Sequence, residues 1–223
     1  RVRKIIASRM VESKKISPHV TSFVEADITN IYKTRNEIKE IFLKENKFPI
    51  TFNPIFLKCV ADALVEFPMM NISYINEKII KKNYINIGIA VALNDNNLIV
   101  PVLKNVDKLN FIDLIKESND LISRARNNML KPTDLESGTY TISNVGSFGN
   151  VMGTPIIVQP QVGILAIGSI KKVPAVIETK KGDEIQVRNR LFLSHTYDHR
   201  IVDGALGGKF AQKVAENIEN FDL

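Results

Sequence analysis

Two histidines and an aspartate recur at four-residue intervals near the C-terminus of the sequence. In the segment SHTYDHRIVDGALGG, His195 and His199 are four residues apart, and Asp203 follows four residues later, directly before Gly204. Two imidazoles and a carboxylate can bind a metal ion, or they can exchange protons, because histidine has a reference pKa of about 6.5. The same residues can also be structural, as hydrogen-bonded histidines and a helix N-cap. The spacing alone leaves these three interpretations open.

The flanking residues predict a strand that ends at His199. In RLFLSHTYD the alternation places Leu193, His195 and Tyr197 on one face of a strand. A side chain at the strand end can reach a cleft, whereas His195 alone is better explained as a hydrogen-bonded core residue. Four-residue spacing brings three side chains together only in a continuous helix. The strand-like pattern before His199 and the glycine at Gly204 therefore disfavour the metal site.

The rest of the sequence predicts a single domain, residues 1–223, that is either a layered α+β or a mixed α/β fold. Helix patterns come mainly from the first half and strand patterns from the second. The predicted helices are an amphipathic helix at 27–46, a helix from an Asn53-Pro54 cap to Pro68, a helix capped by Asn110 and fading at 127–128, and a closing helix with Leu206, Phe210, Val214 and Ile218 on one side. The predicted strands lie at 139–145, 162–170 and 190–198. Two hairpins are predicted, one at 84–104 around a turn at 94–97 and one near 181–183.

Composition excludes several classes of protein. The chain has 223 residues, of which 44% are hydrophobic, and a formal net charge of +6. The lysines are scattered in pairs rather than clustered in a stripe, so we expect no nucleic-acid partner. No apolar run approaches the roughly 18 residues that a membrane span requires, so we expect no membrane association. The single cysteine, Cys59, suits a reducing intracellular compartment. The sequence begins with Arg1, and we expect it to be part of a longer chain.

Several longer motifs accompany the histidine segment. They are RKIIASRM near the start, then TISNVGSFG, GTPII, PQVGIL and DHRIVDGA in this order. With them the sequence resembles, over essentially its whole length, the acyltransferase component of 2-oxo acid dehydrogenase complexes, and more distantly chloramphenicol acetyltransferase. The resemblance implies an α/β fold of two layers, a mixed sheet with flanking helices, of the chloramphenicol acetyltransferase-like type, assembled as trimers that build a larger hollow core. It also implies transfer of an acyl group between dihydrolipoamide and coenzyme A.

The resemblance assigns roles to individual residues. His199 is the general base that a thiol nucleophile needs, because a thiol of pKa about 8.5 is mostly protonated at pH 7. Ser143 stabilises the oxyanion of the tetrahedral intermediate. Asp203 forms a structural salt bridge that holds the histidine loop, and Arg35 best matches its partner. Gly204 follows Asp203 in a tight turn before the closing helix and supports the site there.

Each role has a competing interpretation. A serine beside a glycine-rich turn often bonds to local backbone, as we expect of Ser147, and Arg35 can be a solvated helix residue. Cys59 could form an acyl-enzyme, but it lies on the apolar face of a hydrophobic helix and we expect it to be inert. Direct transfer in a ternary complex is therefore the favoured mechanism.

The resemblance also implies cofactors and partners. Coenzyme A is a substrate, a lipoyl group comes from a separate domain, and no metal is expected. The partners would be other copies, in a homotrimer assembling into a larger core, and the decarboxylase and dihydrolipoamide dehydrogenase components through the full-length chain. The compartment would be the bacterial cytoplasm or a mitochondrial matrix. The acyl group leans toward branched-chain, with acetyl and succinyl as alternatives. A stand-alone coenzyme A-dependent O- or N-acetyltransferase and a non-catalytic core scaffold remain as other functions.

Overall fold

The computed structural model describes residues 2–93 and 97–223, which form a mixed β-sheet with helices packed against it. The five α-helices described are α1 Val2–Ile16, α2 Thr29–Asn46, α3 Phe52–Glu66, α4 Phe111–Arg126 and α5 Gly204–Glu219. The strands described are β1 His19–Asp27, β2 Ile72–Ile75, β3 Lys78–Lys81, β4 Ile87–Ala92, β5 Leu98–Ile99, β6 Val102–Leu103, β7 Tyr140–Asn144, β8 Gly163–Ile167, β9 Lys171–Thr179 and β10 Gly182–Asp198.

The main sheet is mixed, as the family resemblance implies. Its central path runs β1-β10-β8-β7-β4-β5, with β6 paired to β4 and β9 paired to β10. The pairs β1/β10, β10/β8 and β10/β9 are antiparallel, whereas β8/β7 and β7/β4 are parallel. Helix α5 packs across β1 and β10, and α3 packs between α4 and α5. The two-layer fold class is therefore confirmed.

The helices form where apolar residues recur at helical spacing. Helix α3 is the most apolar, and Cys59 lies on its buried face. Asn110 caps α4 through its side chain, which accepts a hydrogen bond from the amide of Asp113, as predicted. The predicted Asn53 cap of α3 is wrong. The helix begins at Phe52, and the side chain of Asn53 instead accepts a hydrogen bond from the Asn144 amide group at 3.1 Å. In the described part of the chain no helix is both long and apolar enough to span a bilayer.

Both predicted hairpins are present, with different lengths. The hairpin at 84–104 has β4 paired antiparallel to β5 and β6, which are short because Pro101 interrupts them. Most of its predicted turn, residues 94–96, lies outside the described residues. The hairpin near Gly182 is longer than its weak pattern suggests, because β9 pairs with β10 along its whole length.

Three elements near the functional region were not predicted from the sequence. They are α1, β1, and the small hairpin of β2 and β3. Asn76 and Glu77 form the turn of this hairpin with φ of 49° and 59°, values that are uncommon for residues other than glycine. Strand β1 covers the outer edge of β10 and joins α1 to the sheet.

The contact between α5 and β10 depends on a glycine. A Cβ atom at Gly207 would lie 2.4 Å from Cε1 of Tyr197, whose side chain is fully buried. A Cβ atom at the neighbouring Gly208 would meet nothing within 4 Å. The close approach of helix and strand therefore requires glycine at 207 and not at 208.

We expect Gly207→Ala to destabilise the protein and Gly208→Ala to stabilise it. Overpacking against Tyr197 should cost about 1–3 kcal/mol, whereas alanine in a helix gains up to about 1 kcal/mol over glycine. Urea unfolding of the two variants beside the wild type measures both changes. Equal effects of the two substitutions would contradict the proposed packing of α5 on Tyr197.

Candidate active site

His199 lies immediately beyond the end of β10. Its side chain is exposed, and its backbone N–H donates to the carbonyl of Pro18 at 2.9 Å. The ring of Tyr197 is 6.0 Å away. Among the described residues the imidazole has no hydrogen-bond partner. Its nitrogens are therefore available to a substrate.

Asp203 and Gly204 begin helix α5. Asp203 is the N-cap, and its Oδ1 accepts a hydrogen bond from the amide of Leu206 at 2.7 Å. Gly204 is the first helical residue rather than part of a tight turn, and a Cβ atom there would meet only the Tyr197 hydroxyl at 3.9 Å. The turn between β10 and α5 therefore does not need a glycine at 204.

Ser143 lies near the end of β7 and is half-buried. Its neighbours in register are Ala90 on β4 and Ala166 on β8, whose side chains are single methyl groups. The Ser143 hydroxyl has no hydrogen-bond partner among the described residues. The Ser147 hydroxyl, in contrast, donates to the carbonyl of Asn144 at 2.8 Å, which confirms its role in the turn. Of the two serines, Ser143 is the one free to donate to a ligand.

His199 and Ser143 lie toward opposite ends of the sheet within one chain. Ser143 is in register with Ala166, and Ala166 with Ser194, which is five residues before His199. Five residues of strand span about 17 Å and two strand spacings about 10 Å, so the two residues are about 20 Å apart. The chain alone does not bring the expected base and the expected oxyanion donor together.

The expected ion pair between Arg35 and Asp203 is also not formed within the chain. Arg35 donates to the carbonyl of Ile50 at 3.0 Å and to the side chain of Asn36 at 3.0 Å, and its guanidinium lies 5.2 Å from the centre of the Phe52 ring. Phe52 precedes Asn53, which contacts Asn144 beside Ser143. Arg35 therefore lies near the end of β7 that carries Ser143 and Asn144, whereas Asp203 follows the end of β10.

His195 is a core residue and is separated from His199. It is fully buried, and its Nδ1–H donates to the carbonyl of Gly207 at 3.0 Å. Burial lowers its pKa to about 4, so the imidazole is neutral at pH 7. Asp203 uses its carboxylate on its own helix. The three residues of the metal interpretation are thus not gathered at one point, and no group of three potential ligands occurs within residues 2–93 and 97–223.

Cys59 occupies the environment that the sequence predicts. Its side chain is 1% exposed, and burial raises the pKa of its thiol. A thiol that stays protonated is a poor nucleophile. The structure therefore offers no support for an acyl-enzyme at Cys59.

The turn that carries His199 contains polar residues that were not predicted as functional. Asp198 and Arg200, on either side of His199, form an ion pair, and Ser17 donates to the Asp198 carboxylate at 2.7 Å. The sequence signal was a pair of opposite charges flanking the histidine. This signal alone could not identify the set of contacts, because Ser17, which donates to Asp198, lies 181 residues away in the chain.

Solved structures with this fold define a class of acyltransferases. The structure of a probable dihydrolipoamide acetyltransferase from Listeria monocytogenes has a TM-score of 0.93 and 43% identity, and the match covers 98% of this chain and 91% of that one. Dihydrolipoamide acetyltransferase from Azotobacter vinelandii has a TM-score of 0.90 and 31% identity over 98% of this chain and 88% of that one. A chloramphenicol acetyltransferase shares the fold alone, with a TM-score of 0.59 and 14% identity over 95% and 94% of the two chains.

The sequence comparison identifies the family. Residues 1–223 match the model described as 2-oxoacid dehydrogenases acyltransferase (catalytic domain), and the chain belongs to this family. The branched-chain lipoamide acyltransferase component of Bacillus subtilis is 42% identical over 99% of this chain and 51% of its own length. The pyruvate dehydrogenase acetyltransferase component of Corynebacterium glutamicum is 40% identical over 100% and 33%. The B. subtilis 2-oxoglutarate dehydrogenase succinyltransferase component is 39% identical over 92% and 48%. The chain thus spans a third to a half of these relatives.

We expect the buried His195 to make the protein less stable in acid. The folded pKa of about 4 lies below the usual value of 6.5, so below pH 6.5 the unfolded chain binds a proton that the folded chain does not. The free energy of unfolding should therefore fall by about 2 kcal/mol from pH 7 to pH 5 through this residue.

His195→Leu should remove this part of the pH dependence, because leucine fills the site without titrating. Urea unfolding at pH 7 and pH 5 of wild type and variant measures the difference, and other titrating groups cancel in it. A variant that keeps the full wild-type pH dependence would show that His195 is not the group responsible.

Proposed function

We propose that this chain transfers an acyl group between dihydrolipoamide and coenzyme A as the catalytic domain of a 2-oxo acid dehydrogenase complex. The observation that carries the proposal is an exposed imidazole at His199 together with an unpartnered hydroxyl at Ser143, in a chain that belongs to the acyltransferase family. The A. vinelandii structure was determined to examine a serine, a histidine and an asparagine in the catalytic mechanism. In that protein the histidine and asparagine are four residues apart, the spacing of His199 and Asp203.

The mechanism follows from the two groups. His199 accepts the proton of the attacking thiol, and the thiolate adds to the thioester carbonyl of the acyl donor. The Ser143 hydroxyl donates a hydrogen bond to the resulting oxyanion. Collapse of the tetrahedral intermediate expels the second thiolate, which takes the proton back from His199. The acyl group thus changes sulfur, and no oxidant or reductant is consumed.

The active site would be built from two copies of the chain. The separation of about 20 Å between His199 and Ser143 excludes direct cooperation within one chain unless the fold changes. Arg35 lies toward the end of the sheet that carries Ser143, and Asp203 lies toward the end that carries His199. One interface between neighbouring chains could therefore join both pairs, with Asp203 binding the neighbour's Arg35 in a trimer. Exposed apolar residues on the β9–β10 hairpin, Val176, Ile185 and Val187, are consistent with further contacts in a larger core.

Coenzyme A and a lipoyl group from a separate domain are the substrates of this proposal, and other components of a complex would act through the full-length chain. The relatives with branched-chain, acetyl and succinyl specificity are 42%, 40% and 39% identical, values too close to select the acyl group. A small cleft at the end of β7 is lined by Phe56, Leu57, Ile89 and Ile142 with two asparagines, and it contains no charged side chain. Ile142 and Asn144 point to the opposite face of β7 from Ser143, so this cleft does not select the acyl group.

We expect the wild-type protein to transfer an acyl group from coenzyme A to free dihydrolipoamide, and among acetyl, succinyl and branched-chain donors the sequence leans toward branched-chain. A panel of acyl-coenzyme A donors measures this preference.

In the same assay His199→Ala should lose about 10²- to 10⁴-fold in rate, because the general base is removed. His19→Ala cannot serve as a matched histidine control, because both ring nitrogens of His19 form hydrogen bonds to backbone groups, unlike those of His199. Retention of more than about a tenth of the wild-type rate by His199→Ala would exclude it as the base.

Mixed assemblies test the location of the active site. His199→Ala and Ser143→Ala chains should each be nearly inactive alone, with Ser143→Ala reduced about 10²- to 10³-fold. When they are refolded together in equal amounts, about a quarter of the interfaces in random trimers should combine an intact His199 with an intact Ser143. Activity should return to about that fraction.

Ser147→Ala is the matched control for the serine, because its hydroxyl serves only the turn. Alone it should keep most of the wild-type activity. Mixed trimers verified by mass spectrometry that remain as inactive as their parents would show that the two groups act within one chain.

A further inference from the structure

A cluster of polar residues lies beneath the turn that carries His199. It joins the end of α1, the segment before β8 and the end of β10, and we call it the Asp198 cluster. Its members are Ser13, Ser17, Gln159, Asp198 and Arg200. Ser13, Ser17 and Asp198 are buried, Gln159 is half-buried and Arg200 is exposed, although the cluster is polar throughout.

The carboxylate of Asp198 is the centre of this cluster. Only 2% of its side chain is exposed. It accepts hydrogen bonds from Arg200 Nη2 at 2.6 Å, Arg200 Nε at 3.0 Å, the Arg200 backbone N–H at 3.1 Å and Ser17 Oγ at 2.7 Å. Burial alone would raise the pKa of Asp198, but the hydrogen bonds from Arg200 and Ser17 outweigh it and lower the pKa. The carboxylate is therefore ionised at neutral pH.

The same cluster fixes the backbone around His199. Gln159 Nε2 donates to Ser17 Oγ at 2.9 Å, which holds Ser17 against Asp198. The next residue, Pro18, accepts the backbone N–H of His199 at 2.9 Å. The carbonyl of Asp198 accepts the amides of residues 201 and 202 at 3.2 and 3.0 Å. The chain is thus bound on both sides of His199.

Arg200 is held from its other side as well. Its guanidinium lies 5.0 Å from the centre of the Tyr74 ring on β2, in a cation–π contact. Neither Asp198 nor Arg200 makes a hydrogen bond to the imidazole of His199. This ion pair therefore holds His199 through the backbone of the turn and not through a hydrogen bond to its ring.

We infer that Asp198 and Arg200 are positioning residues for His199, which fix the point from which its imidazole takes the thiol proton. The inference rests on the proposed function. A general base works only within hydrogen-bond reach of its proton, and a displacement of about 1 Å can cost about 10²-fold in rate. A turn that lost the bonds of Asp198 would still present a histidine, but at a less defined place.

The chain offers a matched control for a merely structural ion pair. Strands β1 and β10 pair from His19 with Asp198 at one end to Asp27 with Arg190 at the other. At this second end Arg188 Nε donates to Asp27 Oδ2 at 2.6 Å, with 21% and 17% of the two side chains exposed. Asp27 is therefore in a comparable ion pair on the same strand pair, remote from His199.

The test compares Asp198→Asn with Asp27→Asn in the assembled protein. Both substitutions keep the shape of the side chain and remove its charge. We expect Asp198→Asn to lower kcat about 10- to 100-fold, with the KM for coenzyme A changed less than about twofold, because the chemical step is affected and not binding. Asp27→Asn should lose stability to urea but keep kcat within about twofold.

Two further measurements separate positioning from unfolding. Hydrogen–deuterium exchange of the peptide containing His199 should accelerate in Asp198→Asn and remain unchanged in Asp27→Asn. Arg200→Lys, which keeps the charge, should recover part of the kcat that Arg200→Ala loses.

A kcat of Asp198→Asn equal to that of Asp27→Asn would overturn the inference, whether or not amide exchange changes. Equal activities of Arg200→Lys and Arg200→Ala would also count against it. Wild type and His199→Ala are measured in the same assay. An inactive wild type, or an active His199→Ala, would instead show that the proposed function has failed.

Discussion

The pairing register of β10 is the constraint on which the rest of this structure depends. This strand of 17 residues pairs with β9 in its first half and with β1 and β8 in its second half. A slip of one residue would move every side chain to the other face of the sheet. His195 and Tyr197 would then leave the core, and Gly207 of α5 would lose the ring that it packs against. The register therefore determines both the core beneath α5 and the place where His199 leaves the sheet.

The same register separates the two groups that the proposed acyl transfer has to combine. Because β7 and β8 are parallel and β10 is antiparallel to them, Ser143 and His199 lie toward opposite ends of the sheet. Neither side chain has a hydrogen-bond partner in the part of the chain that the structure describes. An unpartnered hydroxyl and imidazole are acceptable where water reaches them, and they become a reactive pair only where another chain excludes water and supplies the complement. Assembly and catalysis would thus depend on one interface.

Local patterns predicted much of the fold and the site. Helices α2 to α5, the Asn110 cap, the strand end before His199 and the core positions of Cys59 and His195 follow from residue spacing over a few turns or strand residues. The fold class, with its mixed strand order, followed from the family resemblance. Strand β1 was missed because its alternation is imperfect. The Asn53 cap was wrong because Asn144, 91 residues away, competes for its side chain. The Ser17 contact to Asp198 could not be read from local sequence, since only the folded sheet brings these residues together.

A buried carboxylate beneath His199 is an unexpected choice if stability were the only requirement. Desolvation of the Asp198 charge offsets part of its attraction to Arg200, and apolar side chains of similar volume often serve the fold equally well. An apolar contact, however, has no preferred direction, whereas the Asp198 carboxylate accepts hydrogen bonds from four donor atoms of Arg200 and Ser17. Directed bonds restrain the turn in orientation as well as in distance. A charged cluster is therefore better suited than an apolar one to hold an exposed, unpartnered imidazole ready for a substrate.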